Sequence, residues 1–165
     1  PAREPLPTRV EDVPELPPDA IHALDEGLAA LGIELTPTAR EAIDGQARLL
    51  LAWTSAINLT AIRDPKAVAT AHIVDSLSAL PTLAARGVDR FLDLGSGGGY
   101  PGVPLAAALP AKRALLVEPI AKNRGSVLRR PRKSQEGAED FGTAPLVASY
   151  SFPARASGER PSGLA

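Results

Sequence analysis

Asp93-Leu94-Gly95-Ser96-Gly97-Gly98-Gly99-Tyr100-Pro101-Gly102 is a run of glycines that directly follows a short apolar segment. Residues 90–94 have the pattern of a strand, and a helix-forming stretch follows Pro101 up to residue 109. A second strand-like run, residues 114–117, ends at Glu118. Strand, glycine turn, helix, strand and acid in this order predict the first βαβ unit of a doubly wound α/β sheet.

The glycines of this turn predict close approach of the backbone to a ligand, because a Cβ atom would collide there. Gly97, Gly99 and Gly102 match the pattern G-x-G-x-x-G, which is weak evidence alone and fits a dinucleotide-binding protein equally well. Glu118 comes 23 residues after Gly95, where a carboxylate can accept both hydroxyls of a ribose. A nucleoside cofactor is therefore predicted, and a simple packing turn remains an alternative.

Asp93 distinguishes between the possible cofactors. An acid two residues before the first glycine resembles the first motif of class I methyltransferases. Its carboxylate can hold the cationic methionine end of S-adenosylmethionine, whereas it would repel the pyrophosphate of a dinucleotide. The pattern favours S-adenosylmethionine over NAD(P), and we take Asp93, Gly97 and Glu118 as candidate cofactor-binding residues.

The sequence before the glycine turn predicts three helices. They run from Pro18 to Gly32, from Thr36-Pro37 to Ile57, and from Asp64-Pro65 to Pro81. Thr36 and Asp64 are preferred N-cap residues, and a proline fits the first helical turn. We therefore expect an α/β, Rossmann-like domain with an N-terminal helical prefix, over residues 19–122. The six prolines of residues 1–18 predict a disordered leader, and Trp53 and His22 are expected in the core and at the surface.

Composition excludes several classes of site. The chain has no cysteine, which removes disulfides and thiolate metal sites, and we expect no bound metal. No apolar run reaches the roughly 18 residues that span a bilayer, so we expect no membrane association. The lack of cysteine fits a reducing compartment, and we expect a cytoplasmic protein. The net charge of −1 gives no overall attraction to nucleic acid.

Three stretches resemble the RsmG (GidB) family of ribosomal RNA methyltransferases. They are Leu50-Leu51-Ala52-Trp53 with Asn58-Leu59-Thr60-Ala61-Ile62-Arg63-Asp64, then His72-Ile73-Val74-Asp75-Ser76-Leu77, and the glycine turn with Pro101-Gly102-Val103-Pro104. The resemblance covers residues 19–122. It implies a class I methyltransferase fold and S-adenosylmethionine as cofactor. It also implies N7 methylation of a guanine in 16S ribosomal RNA, with this RNA or the small ribosomal subunit as the partner. It also implies that Gly95 and Tyr100 bind the cofactor.

His72, Asp75 and Ser76 are three and four residues apart, so on a helix they share one face. We consider His72 and Asp75 as candidate catalytic residues, on a face beside the cofactor or the target base. The alternative is a hydrogen-bonded cluster that steadies the helix against the glycine turn. Asn58 is interpreted first as a turn residue.

Residues 123–165 depart from the family pattern. They carry 7 basic and 4 acidic residues, and Pro131 interrupts the expected next helix. We expect an irregular basic tail that lacks the remaining strands, as a truncation or frameshift would produce. Leu146-Val147-Ala148 is the only strand-like fragment. An RNA-binding tail is the alternative, and an inactive remnant of a methyltransferase is the corresponding alternative for the whole chain.

Overall fold

A computed structural model of the chain describes residues 6–109, 113–118 and 146–150. In these ranges a helical N-terminal part precedes a small mixed sheet. The helices are α1 (Pro18–Leu31), α2 (Pro37–Ile57), α3 (Pro65–Val68), α4 (Asp75–Leu77), α5 (Leu80–Ala85) and α6 (Gly102–Ala108). A 3-10 turn covers Val10–Asp12, and a π-helical segment, Ala69–Val74, joins α3 to α4. The strands are β1 (Arg90–Leu94), β2 (Arg113–Glu118) and β3 (Leu146–Tyr150).

The sheet contains the predicted βαβ unit. Strands β1 and β2 pair in parallel, with Leu94 opposite Val117, and α6 lies between them in the chain. Strand β3 pairs antiparallel with β2, with Leu146 opposite Glu118, so the order is β1-β2-β3. The α/β arrangement and the strand at Leu146-Val147-Ala148 are thereby confirmed. The rest of the predicted tail, 123–145 and 151–165, lies outside the described residues.

Local capping chemistry sets the helix ends where the sequence predicts them. Thr36 Oγ1 accepts a hydrogen bond from the Ala39 N–H at 3.1 Å, and Asp64 Oδ2 accepts one from the Ala67 N–H at 2.8 Å. Gly32 follows α1 with a φ of +64°, the left-handed C-cap that glycine favours. These contacts confirm the starts of α2 and α3 and the end of α1.

The third predicted helix does not end at Pro81. Pro81 instead lies in the first turn of α5, where a missing N–H costs no intrahelical bond. The helical run Pro65–Ala85 therefore extends over 21 residues and, with a mean hydropathy of 1.2, is the one described segment that could by length and composition cross a membrane. This is weak evidence of a span, because core helices meet the same criterion and Val68, Ile73 and Leu77 are buried.

The prediction of a disordered leader is wrong for residues 6–17, which pack against α2. The Arg48 guanidinium donates to the carbonyl oxygens of Val10, Val13 and Pro14. The side chains of Val13 and Leu16 are buried. The order of this segment could not be predicted from its composition, because it depends on contacts with a distant arginine and not on a local periodic pattern.

The main core lies between α1, α2 and the run from α3 to α4. Its members are apolar residues from these elements, namely Leu16, Ala20, Leu24, Leu28, Ile43, Ala47, Leu50, Val68, Ala69, Ile73 and Leu77. Burying each large aliphatic side chain contributes about 1.5–3 kcal/mol. Trp53 is buried as predicted and donates its Nε1–H to the Pro7 carbonyl at 2.6 Å, while His22 lies exposed beside Glu26.

A second, smaller core fixes α6 on the sheet. Val103 and Ala106 of α6 pack with Ala114 and Leu116 of β2. On β1, by contrast, Leu92 and Leu94 remain 53% and 73% exposed. The glycine turn follows β1. It therefore lies between α6 and the end of β2.

Candidate functional site

The glycine turn, residues 95–101, is anchored to the end of β2. The N–H groups of Gly95 and Ser96 both donate to the Val117 carbonyl oxygen, at 2.8 and 3.2 Å. Three glycines adopt positive φ angles, of +80° at Gly95, +52° at Gly97 and +95° at Gly99. Side chains rarely tolerate these angles, so the sequence pattern and the backbone conformation agree.

One side of the turn is open and the other is packed. Among the residues that the structure describes, a Cβ atom added at Gly95 would meet nothing within 4 Å, and at Gly97 only the Gly95 carbonyl oxygen at 3.8 Å. A Cβ atom at Gly98 would lie 2.4 Å from Leu50 Cδ1, and at Gly99 it would lie 2.8 Å from Gln46 Nε2. A ligand can therefore approach the backbone at Gly95 and Gly97, while α2 supports the turn from behind.

Gln46 is a residue of the site that the sequence analysis missed. Its side chain is completely buried, and Nε2 donates to the Gly98 carbonyl oxygen. The signal was present, since Gln46 stands three residues after Ile43 and four before Leu50 on the apolar stripe of α2. A polar residue at such a position must find a buried partner, and here the partner is the glycine turn.

Glu118 lies beneath the turn. The residue is only 3% exposed, and its Oε2 accepts the Gly97 N–H at 2.6 Å. The structure thus brings the predicted acid of β2 against a predicted glycine.

Asp93 connects β1 to the start of α6. Its Oδ2 accepts the Gly102 N–H at 2.9 Å, and a Cβ atom at Gly102 would lie only 2.5 Å from this oxygen. Burial raises the pKa of Asp93 above its ordinary value; the Gly102 N–H opposes this rise and the nearby Glu118 charge adds to it. The two predicted carboxylates therefore flank the turn and influence each other electrostatically.

Tyr100 places its ring against the helical part. It stacks on the His72 ring, with centroids 5.0 Å apart and planes inclined by 25°. The Tyr100 hydroxyl is buried and has no hydrogen-bond partner in the part of the chain that the structure describes, and burial strongly raises the pKa of this phenol. Through this stack the glycine turn contacts the π-helical segment that carries His72.

His72 is held by contacts on more than one side. Its Nε2 and Thr60 Oγ1 are hydrogen-bonded at 2.9 Å, and Ser76 Oγ donates to the His72 carbonyl oxygen. Burial lowers the pKa of His72, although the Asp75 charge opposes this shift. These contacts fit the predicted cluster that steadies the helix against the turn, and the burial of the ring favours its neutral form.

A cavity of about 340 Å³ opens beside this cluster. It is lined by residues from the π-helical segment, α4, the glycine turn and α6, namely Ala71, His72, Asp75, Ser76, Ala79, Tyr100, Pro101 and Leu105. The structure therefore brings the predicted face of His72, Asp75 and Ser76 into one lining together with Tyr100. Asp75 is exposed, and among the described residues its carboxylate has no hydrogen bond or salt bridge, although its charge acts on His72.

The described part of the chain contains no group of three or more His, Asp or Glu side chains that could hold a metal ion. Asn58, interpreted as a turn residue, ends α2 with a φ of +52°. Its side-chain oxygen accepts a hydrogen bond from Arg63. Asn58 thus has a structural role at this helix end.

Comparison with known proteins gives one family. Residues 40–129 match the family model GidB, described as rRNA small subunit methyltransferase G. Three similar proteins are each named Ribosomal RNA small subunit methyltransferase G. The protein from Ectopseudomonas mendocina (strain ymp) is 45% identical over 59% of this chain and 45% of its own length. The protein from Azoarcus sp. (strain BH72) is 43% identical over 72% of this chain and 54% of its own length. The protein from Anaeromyxobacter sp. (strain Fw109-5) is 49% identical over 62% of this chain and 47% of its own length. The chain spans about half the length of the curated relatives it matches.

Proposed function

The chain belongs to the GidB family, rRNA small subunit methyltransferase G, and from this premise we propose that it transfers a methyl group from S-adenosylmethionine to guanine N7 of 16S ribosomal RNA. The observation that carries the proposal is a glycine turn open at Gly95 and Gly97, with the carboxylates of Asp93 and Glu118 beside it. We propose the Rossmann-like class I fold of methyltransferases on the same basis.

The residues present fit the cofactor. The missing Cβ atoms of Gly95 and Gly97 leave room for a nucleoside against the backbone. Glu118 would accept the ribose hydroxyls in exchange for the Gly97 N–H. Asp93 keeps one carboxylate oxygen beyond its bond to Gly102 and would attract the cationic methionine end. Tyr100 would fix the far end of the turn through its stack on His72.

S-adenosylmethionine supplies an electrophilic methyl group on a positively charged sulfur. Guanine N7 has an exposed lone pair and loses no proton on methylation, so the chain needs to align the reactants and not to supply a general base. This requirement fits a site whose histidine is half-buried and held by Thr60 and Tyr100. His72 and Asp75 then act as binding and orienting residues.

The partners follow from the same proposal. The substrate would be 16S ribosomal RNA, free or in the small subunit, and the reaction would take place in the cytoplasm without a metal ion. An NAD(P)-binding protein is disfavoured because Asp93 would repel a pyrophosphate.

A second candidate, an inactive remnant of such an enzyme, has one observation in its favour. Leu92 and Leu94 on β1 are largely exposed, although strands of doubly wound sheets are normally covered on both faces. A remnant would lack cooperative unfolding, whereas the packed core of α1, α2 and Ile73 predicts a cooperative transition.

The test is transfer of a labelled methyl group from S-adenosylmethionine to small-subunit ribosomal RNA, followed by mapping of the labelled base. We expect label at guanine N7, and much less with Gly95→Val, which fills the open side of the turn. Gly87→Val is the matched control, since Gly87 also has a positive φ and no neighbour within 4 Å. Label at another base, or no label from a chain that unfolds cooperatively, would contradict the proposal.

A further inference from the structure

We propose that the cavity beside His72 is the pocket for the target guanine, and that Asp75 reads the base by accepting hydrogen bonds from its N1–H and N2 amino group. This inference rests on the proposed function, because it assigns the substrate base to a surface next to the proposed cofactor turn. It goes further in naming the residue that selects guanine.

The size and lining of the cavity suit one heterocyclic base. Its volume of about 340 Å³ is at the lower end of the range of about 300–1,000 Å³ that is typical of small-molecule sites. Ala71, Ala79 and Leu105 form apolar walls, and a few polar groups stand among them. Apolar walls with few polar groups are the usual composition of a pocket that binds a planar ring and fixes its orientation.

Asp75 provides the selective group. It is exposed in the lining, and among the described residues its carboxylate has no hydrogen bond or salt bridge, although its charge acts on the nearby His72. An ionised carboxylate only accepts hydrogen bonds and can do so with both oxygens. Among the RNA bases, guanine alone presents two adjacent donors, N1–H and the N2 amino group, so it alone can form a bidentate pair with Asp75.

This pairing leaves the methylation site free. The donors read by Asp75 lie on the Watson–Crick edge, while N7 lies on the opposite side of the purine. The cavity borders the glycine turn, since Tyr100 and Pro101 belong to both. A guanine held at its Watson–Crick edge therefore keeps N7 available to a methyl donor at the turn.

The His72–Tyr100 pair supplies a stacking surface. RNA-binding proteins hold splayed-out bases against Phe, Tyr, Trp or His rings. The His72 ring is half-buried and is fixed by Thr60 and by Tyr100, so little mobility is lost when a base stacks on it. The helix around His72 is π-helical, a departure from α geometry that is frequent at functional sites.

The experiment titrates the full chain with guanosine, inosine and adenosine 5′-monophosphates, followed by NMR or calorimetry. Inosine monophosphate lacks only the N2 amino group. We expect it to bind about tenfold more weakly than the guanosine nucleotide, as for loss of one charge-assisted hydrogen bond. Adenosine monophosphate should bind more weakly still. Asp75→Asn should abolish the difference between guanosine and inosine nucleotides, while Glu41→Gln, which removes an exposed charge outside the cavity lining, should preserve it.

Binding of S-adenosylmethionine is measured on the same samples. Cofactor binding together with equal affinities for guanosine and inosine nucleotides would overturn the guanine pocket and leave the proposed function intact. Guanosine-selective binding without binding of S-adenosylmethionine would support the guanine pocket and contradict the proposed function. If Asp75→Asn weakens cofactor binding and leaves nucleotide binding unchanged, the cavity belongs to the cofactor and the inference is wrong. The comparison of the two nucleotides on the unmodified chain holds even if the variant fails to fold.

Discussion

Replacing Gly99 by alanine should destabilise the protein more than the same change at another left-handed glycine. At Gly99 the φ of +95° is unfavourable for alanine, and the new Cβ atom would lie 2.8 Å from Gln46 Nε2 and 2.9 Å from Val103 Cγ2. The backbone conformation costs about 1–2 kcal/mol, and overpacking of a closed site costs about 1–3 kcal/mol. Gly99→Ala should therefore lower the free energy of unfolding by about 2–5 kcal/mol.

Gly32→Ala is the matched control for this change. Gly32 also has a positive φ, of +64°, but a Cβ atom there meets nothing within 4 Å, so only the cost of about 1–2 kcal/mol for the backbone conformation applies. Urea unfolding monitored by circular dichroism gives both free energies by linear extrapolation. If the two variants lose the same stability, the close packing of α2 against the glycine turn is refuted.

Three further predictions concern stability. Because burial lowers the pKa of His72 below its ordinary value of 6.5, the unfolded chain binds a proton first as the pH falls. The free energy of unfolding should therefore decline below about pH 6.5, and pH-dependent urea titrations should show a smaller decline in His72→Asn but not in His22→Asn. Thr36→Ala should lower the free energy of unfolding, measured by heat or urea, by about 1 kcal/mol because the N-cap of α2 is lost. A change near zero would contradict a stabilising role of this cap. Gln46→Leu should cost about 1–3 kcal/mol, since the Gly98 carbonyl loses a buried donor, and unchanged stability would contradict that contact.

Those parts of the fold that depend on neighbouring residues could be predicted from the sequence. Thr36 and Asp64 cap their helices through bonds to N–H groups three residues away, so the capping pattern is visible in the chain itself. The glycine turn is equally local, because its positive φ angles select glycine at Gly95 and Gly97. Helix starts, the βαβ unit and the candidate carboxylates were accordingly predicted.

Contacts between distant segments could not be predicted. Arg48, more than 30 residues away, holds residues 6–17 in place. No periodic pattern in the sequence of this segment predicts the contact. The pairing of Gln46 with Gly98 spans 52 residues. Sequence could indicate that a buried glutamine needs a partner, but only the packing of α2 against the turn identifies it.

Pro81 was misjudged for a different reason. A proline is compatible both with the end of one helix and with the first turn of the next, because the first turn needs no donor from it. In the structure the chain begins α5 at Leu80 and continues to Ala85. Both positions, the end of one helix and the first turn of the next, are compatible with proline. The packing of the helical run determines which of them Pro81 occupies.

Titration calorimetry of the full chain with S-adenosylmethionine, and separately with NADH, tests most directly whether the glycine turn binds a sulfonium nucleoside. We expect saturable binding of S-adenosylmethionine that Glu118→Ala weakens, together with no binding of NADH, because Asp93 repels its pyrophosphate. Saturable binding of NADH with no heat from S-adenosylmethionine would contradict this expectation.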